Sequence, residues 1–238
     1  MPRAWIKFCG LAREEDVEMC ARHNPSALGF LLRKPSSKSA NIDLLTIDRA
    51  KKLVSRVPST IASVLLVHST DPEEIIELAT EIKPNLLQLQ GVISIDACLK
   101  IKYTVSAVGL IKKLSITENS SLRHVFRQQE ILIECAAFDS FVLDSATSAS
   151  GRGGTGQTHD WDISRQIVEQ YPTQRFILAG GLTHENIATA TRLVRPYGID
   201  VMSGVSDSPG IKSEGKIVQL LSALRQSEDL PHDQETGR

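Results

Sequence analysis

In Phe176-Ile-Leu-Ala-Gly-Gly-Leu-Thr-His-Glu-Asn186 a short apolar run breaks on two glycines and gives way to a helical pattern over residues 184–193. A second short apolar run, Ile199-Asp-Val-Met-Ser-Gly-Val205, follows and again ends on a glycine. The reading is strand, turn, helix, strand. Two consecutive strands joined by a helix lie parallel, because the crossover returns the chain to the same end of the sheet.

Working outward, the same unit recurs along the chain. Strand candidates are Trp5–Cys9, Ala27–Leu32, Thr60–His68, Leu86–Gln90, Thr104–Leu110, Phe141–Asp144, Phe176–Ala179 and Ile199–Met202. Each is short, mostly apolar, and ends in polar residues or glycine. Helical patterns lie between them. Asp71-Pro-Glu-Glu74 opens one with a capping Asp, Pro at the first helical position and acids in the first turn. Others cover 48–57, 184–193 and 215–225, and a longer, irregular one covers 119–136. The strand count suits an open sheet as well as a closed one. At 238 residues a (β/α)8 TIM barrel fits better. The expectation is one α/β domain over residues 1–226, with a polar, frayed tail at 227–238. Two loops at strand ends, 33–46 and 145–160, have the length of functional loops.

Composition narrows the function. Lys plus Arg number 27 against 28 Asp plus Glu, a net charge of −1, which leaves no electrostatic footprint for nucleic acid or an anionic membrane. No apolar run approaches the roughly 18 residues of a membrane span, and residues 1–9 carry no signal-peptide core. Cys9, Cys20, Cys98 and Cys135 form no paired pattern, so neither a disulfide framework nor a zinc site is expected, and a cytoplasmic location is. Aromatic residues are only 5%, so the core must be built from Leu, Ile, Val and Ala.

The polar residues at strand ends carry the chemistry. Gly151-Arg-Gly-Gly-Thr-Gly156 matches G-x-G-x-x-G, but residues 145–150 separate it from its strand, and Gln157 stands where a P-loop needs Lys. It reads instead as a Gly-rich lid over a barrel mouth. Gly180-Gly181 closes the seventh strand and Ser203-Gly204 the eighth. Each alone is a tight turn. As neighbours at this strand order they match the usual phosphate site of such barrels, where bare backbone N–H groups meet an anion. Cys9 ends the first strand and Asp144 the sixth. Singly they read as a small core residue and a turn former; at opposite rims of one mouth they make an acid–base pair. Asp200, inside an otherwise apolar strand, needs a partner or a task.

The blocks Ile6-Lys-Phe-Cys-Gly-Leu11, Gly29-Phe-Leu-Leu32, Leu87-Gln-Leu-Gln-Gly91, Phe141-Val-Leu-Asp-Ser145, Gly153-Gly-Thr-Gly-Gln-Thr158 with Asp160-Trp161, Ala179-Gly-Gly-Leu-Thr-His-Glu-Asn186, and Ile199-Asp-Val-Met-Ser-Gly-Val205 with Pro209-Gly210 span residues 6–210. In this order they resemble the phosphoribosylanthranilate isomerases of tryptophan biosynthesis. The resemblance implies a (β/α)8 barrel and a cofactor-free, metal-free Amadori rearrangement of an aminoaldose phosphate to an aminoketose. It implies Cys9 as general base, Asp144 as general acid and Asp200 as an auxiliary acidic residue. Gly180, Gly181, Ser203 and Gly204 would hold the phosphate, and Gly153 and Gly154 would lie against substrate.

Two departures stand out. The family usually places an Arg for the anthranilate carboxylate in the loop after the second strand; here Arg33-Lys-Pro-Ser-Ser-Lys-Ser-Ala-Asn41 offers Lys38, a point charge without the bidentate fork. The usual Gln-Leu-His-Gly reads Gln88-Leu-Gln-Gly91, with Gln90 for the His. The expected partner is a small sugar phosphate, and the oligomeric state, monomer or homodimer, stays open. Alternatives are a paralogue isomerising another aminoaldose phosphate and a non-catalytic, phosphate-binding barrel.

Overall fold

A computed structural model describes residues 4–32, 44–116, 136–145 and 161–229. In chain order they form β1 (Trp5–Phe8), α1 (Glu14–Arg22), β2 (Ala27–Leu32), β3 (Leu44–Leu45), α2 (Ile47–Val54), β4 (Ala62–Val67), α3 (Pro72–Ile82), β5 (Leu86–Leu89), α4 (Ile95–Thr104) and β6 (Gly109–Ile116). Then come β7 (Ser140–Ser145), α5 (Trp161–Gln170), β8 (Phe176–Leu178), α6 (Ile187–Val194) and β9 (Gly198–Val201). A 3-10 turn (Ser203–Val205), a hairpin of β10 (Ser206–Ser208) and β11 (Ile211–Lys212), and α7 (Glu214–Asp229) complete the chain.

Eight strands run parallel in the order β1-β9-β8-β7-β6-β5-β4-β2, and β1 pairs back to β2, so the sheet closes into a barrel. The short β3 only extends the end of β2 (Leu31↔Leu44). Closure makes every barrel strand buried on both faces, and the period of two divides its side chains between two cores. Cys9, Ala27, Val64, Leu66, Ile111, Val142, Ile177 and Ala179 fill the lumen. Phe8, Phe30, Leu65, Phe141, Leu178 and Val201 face outward to the helices.

Helix starts follow the capping chemistry. The Asp71 carboxylate accepts from the Glu73 N–H at 3.0 Å, with Pro72 in the first turn, and Ser94 and Thr46 cap α4 and α2 in the same way. α3 ends on Lys83 at φ 57°.

The fifth barrel strand corrects the sequence reading. It spans Gly109–Ile116, whereas Thr104–Leu110 was expected; Thr104 closes α4, which buries Cys98 and Ile101. α1 and α4 carried no clear sequence signal. α6 starts at Ile187 because Thr183–Asn186 forms a turn, in which the Asn186 carboxamide oxygen accepts from the Thr183 N–H at 2.9 Å. α7 continues to Asp229, into the expected tail. The pattern over 119–136, most of the loops 33–46 and 145–160, and the tail beyond 229 lie outside the described residues. Among the described residues no helix is long and apolar enough to cross a membrane.

Candidate active site

The site begins with the alternation in Trp5-Ile-Lys-Phe-Cys9. Ile6 and Phe8 pack outward, which turns Lys7 and Cys9 into the lumen. Lys7 is completely buried. Its ammonium lies 2.8 Å from Asp200, its register partner on β9, and donates to the side-chain oxygen of Gln88. Gln88 sits on β5, which does not neighbour β1, so this bond crosses the barrel interior. The second Asp200 oxygen, Oδ1, is buried without a hydrogen-bond partner among the described residues.

Cys9 follows β1 directly, its N–H held by the Val201 carbonyl at 2.9 Å. Gly29 on β2 makes room for the thiol: a Cβ there would fall 2.8 Å from the sulfur. Burial pushes the Cys9 thiol up to about 11; Lys7 opposes the rise most, Asp200 adds to it, and Lys212 and the Gly10 N–H work against it. Burial likewise lifts the Asp200 carboxyl against the pull of Lys7. For Lys7, burial alone would depress the ammonium, but Asp200, Cys9 and Asp144 outweigh it and hold it high.

Asp144, near the end of β7, pairs with Lys113 of β6 at 2.8 Å. The carboxylate retains some solvent exposure, so this pair lies nearer the mouth than Lys7–Asp200. Gln90, just past β5, carries a buried Nε2 without a hydrogen-bond partner among the described residues.

The two glycine turns meet. Gly180 and Gly181 adopt φ of +85° and +63°, backbone that side-chain-bearing residues avoid. A Cβ on Gly204 would lie 1.9 Å from the Leu182 carbonyl oxygen, so the turn after β9 packs directly on the turn after β8. Asn186 braces the first turn from below, donating to the Gly181 carbonyl at 2.9 Å while its oxygen takes the Thr183 N–H. Ser203 opens the 3-10 turn beside them.

Cys9, Asp200 and Asp144 thus share one lumen, and Gly180–Gly181 adjoins Ser203–Gly204 at its rim. Lys38, Gly153 and Gly154 lie outside the described residues. The sequence reading missed Lys7, Gln88, Lys113 and Asn186. The argument that singled out Asp200, a charge inside an apolar strand, applies equally to Lys7. Lys113 was hidden by the misplaced fifth strand. Among the described residues no group of three His, Cys, Asp or Glu side chains could hold a metal ion.

Residues 6–223 match the family described as N-(5'phosphoribosyl)anthranilate (PRA) isomerase. The chain belongs to that family. A relative from Methanosarcina mazei, named N-(5'-phosphoribosyl)anthranilate isomerase 2, is 34% identical over 217 residues, covering 91% of this chain and 92% of the relative. The crystal structure of phosphoribosyl anthranilate isomerase from Thermotoga maritima, 26% identical, superposes with a TM-score of 0.76 over 94% of this chain and 100% of that one. A phosphoribosyl anthranilate isomerase solved with reduced 1-(o-carboxyphenylamino)-1-deoxyribulose 5-phosphate is 25% identical, with a TM-score of 0.73 and coverage of 94% and 100%. Membership of the PRA isomerase family makes this barrel an enzyme, an isomerase of the aldose–ketose type.

Proposed function

We propose that the protein converts N-(5'-phosphoribosyl)anthranilate to 1-(o-carboxyphenylamino)-1-deoxyribulose 5-phosphate, with Asp144 as general acid and Cys9 as general base. The supporting observation is the shared lumen: a thiol just past β1 and a carboxylate on β7 lie on the same inner face of the barrel, each near a lysine. The Lys113–Asp144 pair holds a proton that Asp144 passes to the ring oxygen of the ribose. The C1'–O bond then breaks as the anilino nitrogen lends its electron pair to C1', leaving an iminium. Cys9, as thiolate, removes the C2' proton, and that electron pair returns through C1' to nitrogen to give an enolamine. The Cys9 thiol then returns a proton to C1', and the enol proton goes back to the Lys113–Asp144 pair, which completes the ketone and restores both groups. Atoms and electrons balance within the substrate.

The phosphate is assigned to the backbone N–H groups of the Gly180–Gly181 and Ser203–Gly204 turns, and the contact between these turns supports a common anion site. Lys38 is assigned to the anthranilate carboxylate, with Gly153 and Gly154 over the substrate and Asp200 as auxiliary acid. A cytoplasmic setting suits Cys9, Cys20 and Cys98, which form no disulfide among the described residues. Gln90, whose buried Nε2 has no hydrogen-bond partner among the described residues, favours a second reading in which the same pair isomerises another aminoaldose phosphate.

Fluorescence decay of phosphoribosylanthranilate, together with complementation of a tryptophan auxotroph lacking the isomerase, tests the proposal. Turnover that disappears in Cys9→Ala and Asp144→Asn is expected; no turnover by the native protein gives the lead to the second reading.

A further inference from the structure

Lys7 has no step in the chemistry above, yet it is one of the largest fully buried side chains among the described residues. Burying an ion pair seldom gains more than an apolar pair of the same volume would, so keeping charge here calls for another reason. The place suggests one. Lys7 lies two residues before Cys9 on the lumenal face of β1, beneath the thiol. Around Cys9, Gly29 on β2 presents only backbone, Asp200 of β9 and Lys212 of β11 bring their charges to bear on the thiol, and Gly10 offers its N–H.

We propose that Lys7 is a positioning residue whose ammonium, clamped by Asp200 and Gln88 under Cys9, supplies the field in which the Cys9 thiolate forms. The inference rests on the assignment of Cys9 as base. Among the charges around the thiol, Lys7 acts most strongly in favour of the thiolate, and Asp200 acts against it. The chemistry of the clamp fits this task. A second carboxylate in place of Gln88 would cancel the ammonium, whereas the neutral carboxamide oxygen fixes it without adding negative charge.

The test follows the titration of Cys9 itself, read as the pH dependence of its alkylation by iodoacetamide with the modified peptide identified by mass, beside the pH profile of kcat/KM. Lys7→Met removes the charge. Gln88→Glu keeps the hydrogen bond and nearly the same shape but adds a negative charge, so it decides the matter even where Lys7→Met does not fold. Both should move the Cys9 midpoint up by a unit or more, about a tenfold loss of alkylation rate at a fixed pH below it, and the rising limb of kcat/KM should follow. Lys7→Arg should stay near the native midpoint. An unmoved midpoint in folded Gln88→Glu overturns the proposal, and so does a moved midpoint with an unmoved kcat/KM profile. Full activity in Cys9→Ala would instead sink the assignment of Cys9 as base, while the alkylation result still reports whether Lys7 sets its field.

Discussion

Two lysine–carboxylate pairs occupy the same lumen at the same 2.8 Å separation, and they differ in depth and in company. Lys7–Asp200 is sealed, with side-chain exposures of 0% and 8%, and Gln88 adds a third contact. Lys113–Asp144, at 9% and 14%, lies between strands β6 and β7 toward the mouth. A sealed pair cannot exchange a partner for water, so its charges act as fixed features of the site. A pair with some access to solvent can let substrate come between its members and can recover a proton afterwards. The same two residue types therefore suit two tasks, a standing field under the base and a movable proton at the acid.

The largest expected effect breaks the comparison at the mouth. Asp144→Asn, like Cys9→Ala, should lower turnover by about 10²–10⁴-fold, the usual range for a general acid or base. Its effect on stability should stay near about 1 kcal/mol, because water can reach the remaining lysine. Asp200→Asn strands Lys7 in the sealed lumen and should cost about 3–5 kcal/mol in chemical denaturation. Equal stability losses in the two variants would erase the distinction of depth.

Lys112 sharpens the contrast from the other side. It is a buried lysine facing away from the lumen, and its ammonium donates to the Gly91 carbonyl at 2.6 Å. Burial lowers this ammonium to about 8, with Cys98 opposing and Lys113 assisting. Because the folded value lies below the ordinary 10.5, the folded state gives up this proton first, and stability contributed here rises with pH between about 8 and 10.5. Lys112→Met should stabilise the protein by about 1–3 kcal/mol at pH 7, and its advantage over the native chain should shrink by pH 10. A constant difference across that range would show that Lys112 is not depressed.

The smallest effect concerns the substrate's far end. Lys38→Arg should lower KM for phosphoribosylanthranilate severalfold with little change in kcat, as expected when a bidentate fork replaces a point charge in uniform binding. Steady-state kinetics with Ser37→Arg and Ser39→Arg alongside allow for the register of the loop. A change in kcat with KM untouched would tie this loop to the chemistry instead.

Local pattern was enough for the barrel and for part of its site. Short β-branched runs alternating with capped helices specify parallel βα units, and glycines at Gly180–Gly181 and Gly204 mark backbone that no side chain allows. Cys9, Asp144 and Asp200 stood out because each is a reactive or charged group at a strand end or inside an apolar strand. The sequence also misled where local propensity and tertiary packing disagreed. Thr104–Leu110 reads as a strand, which leaves Lys112 and Lys113 beyond its end, yet Thr104 ends a helix and both lysines lie within β6. Those lysines are tolerated only because Gly91 and Asp144 come from neighbouring segments to receive them. The contact of Lys7 with Gln88 joins residues 81 apart in the chain, on strands that never pair. No local signal encodes that partnership. Strand by strand, the sequence determines which side chains point inward; which of them face each other across the lumen is decided only when β1 closes against β2 and β9, because closure and strand stagger set the layers of the interior.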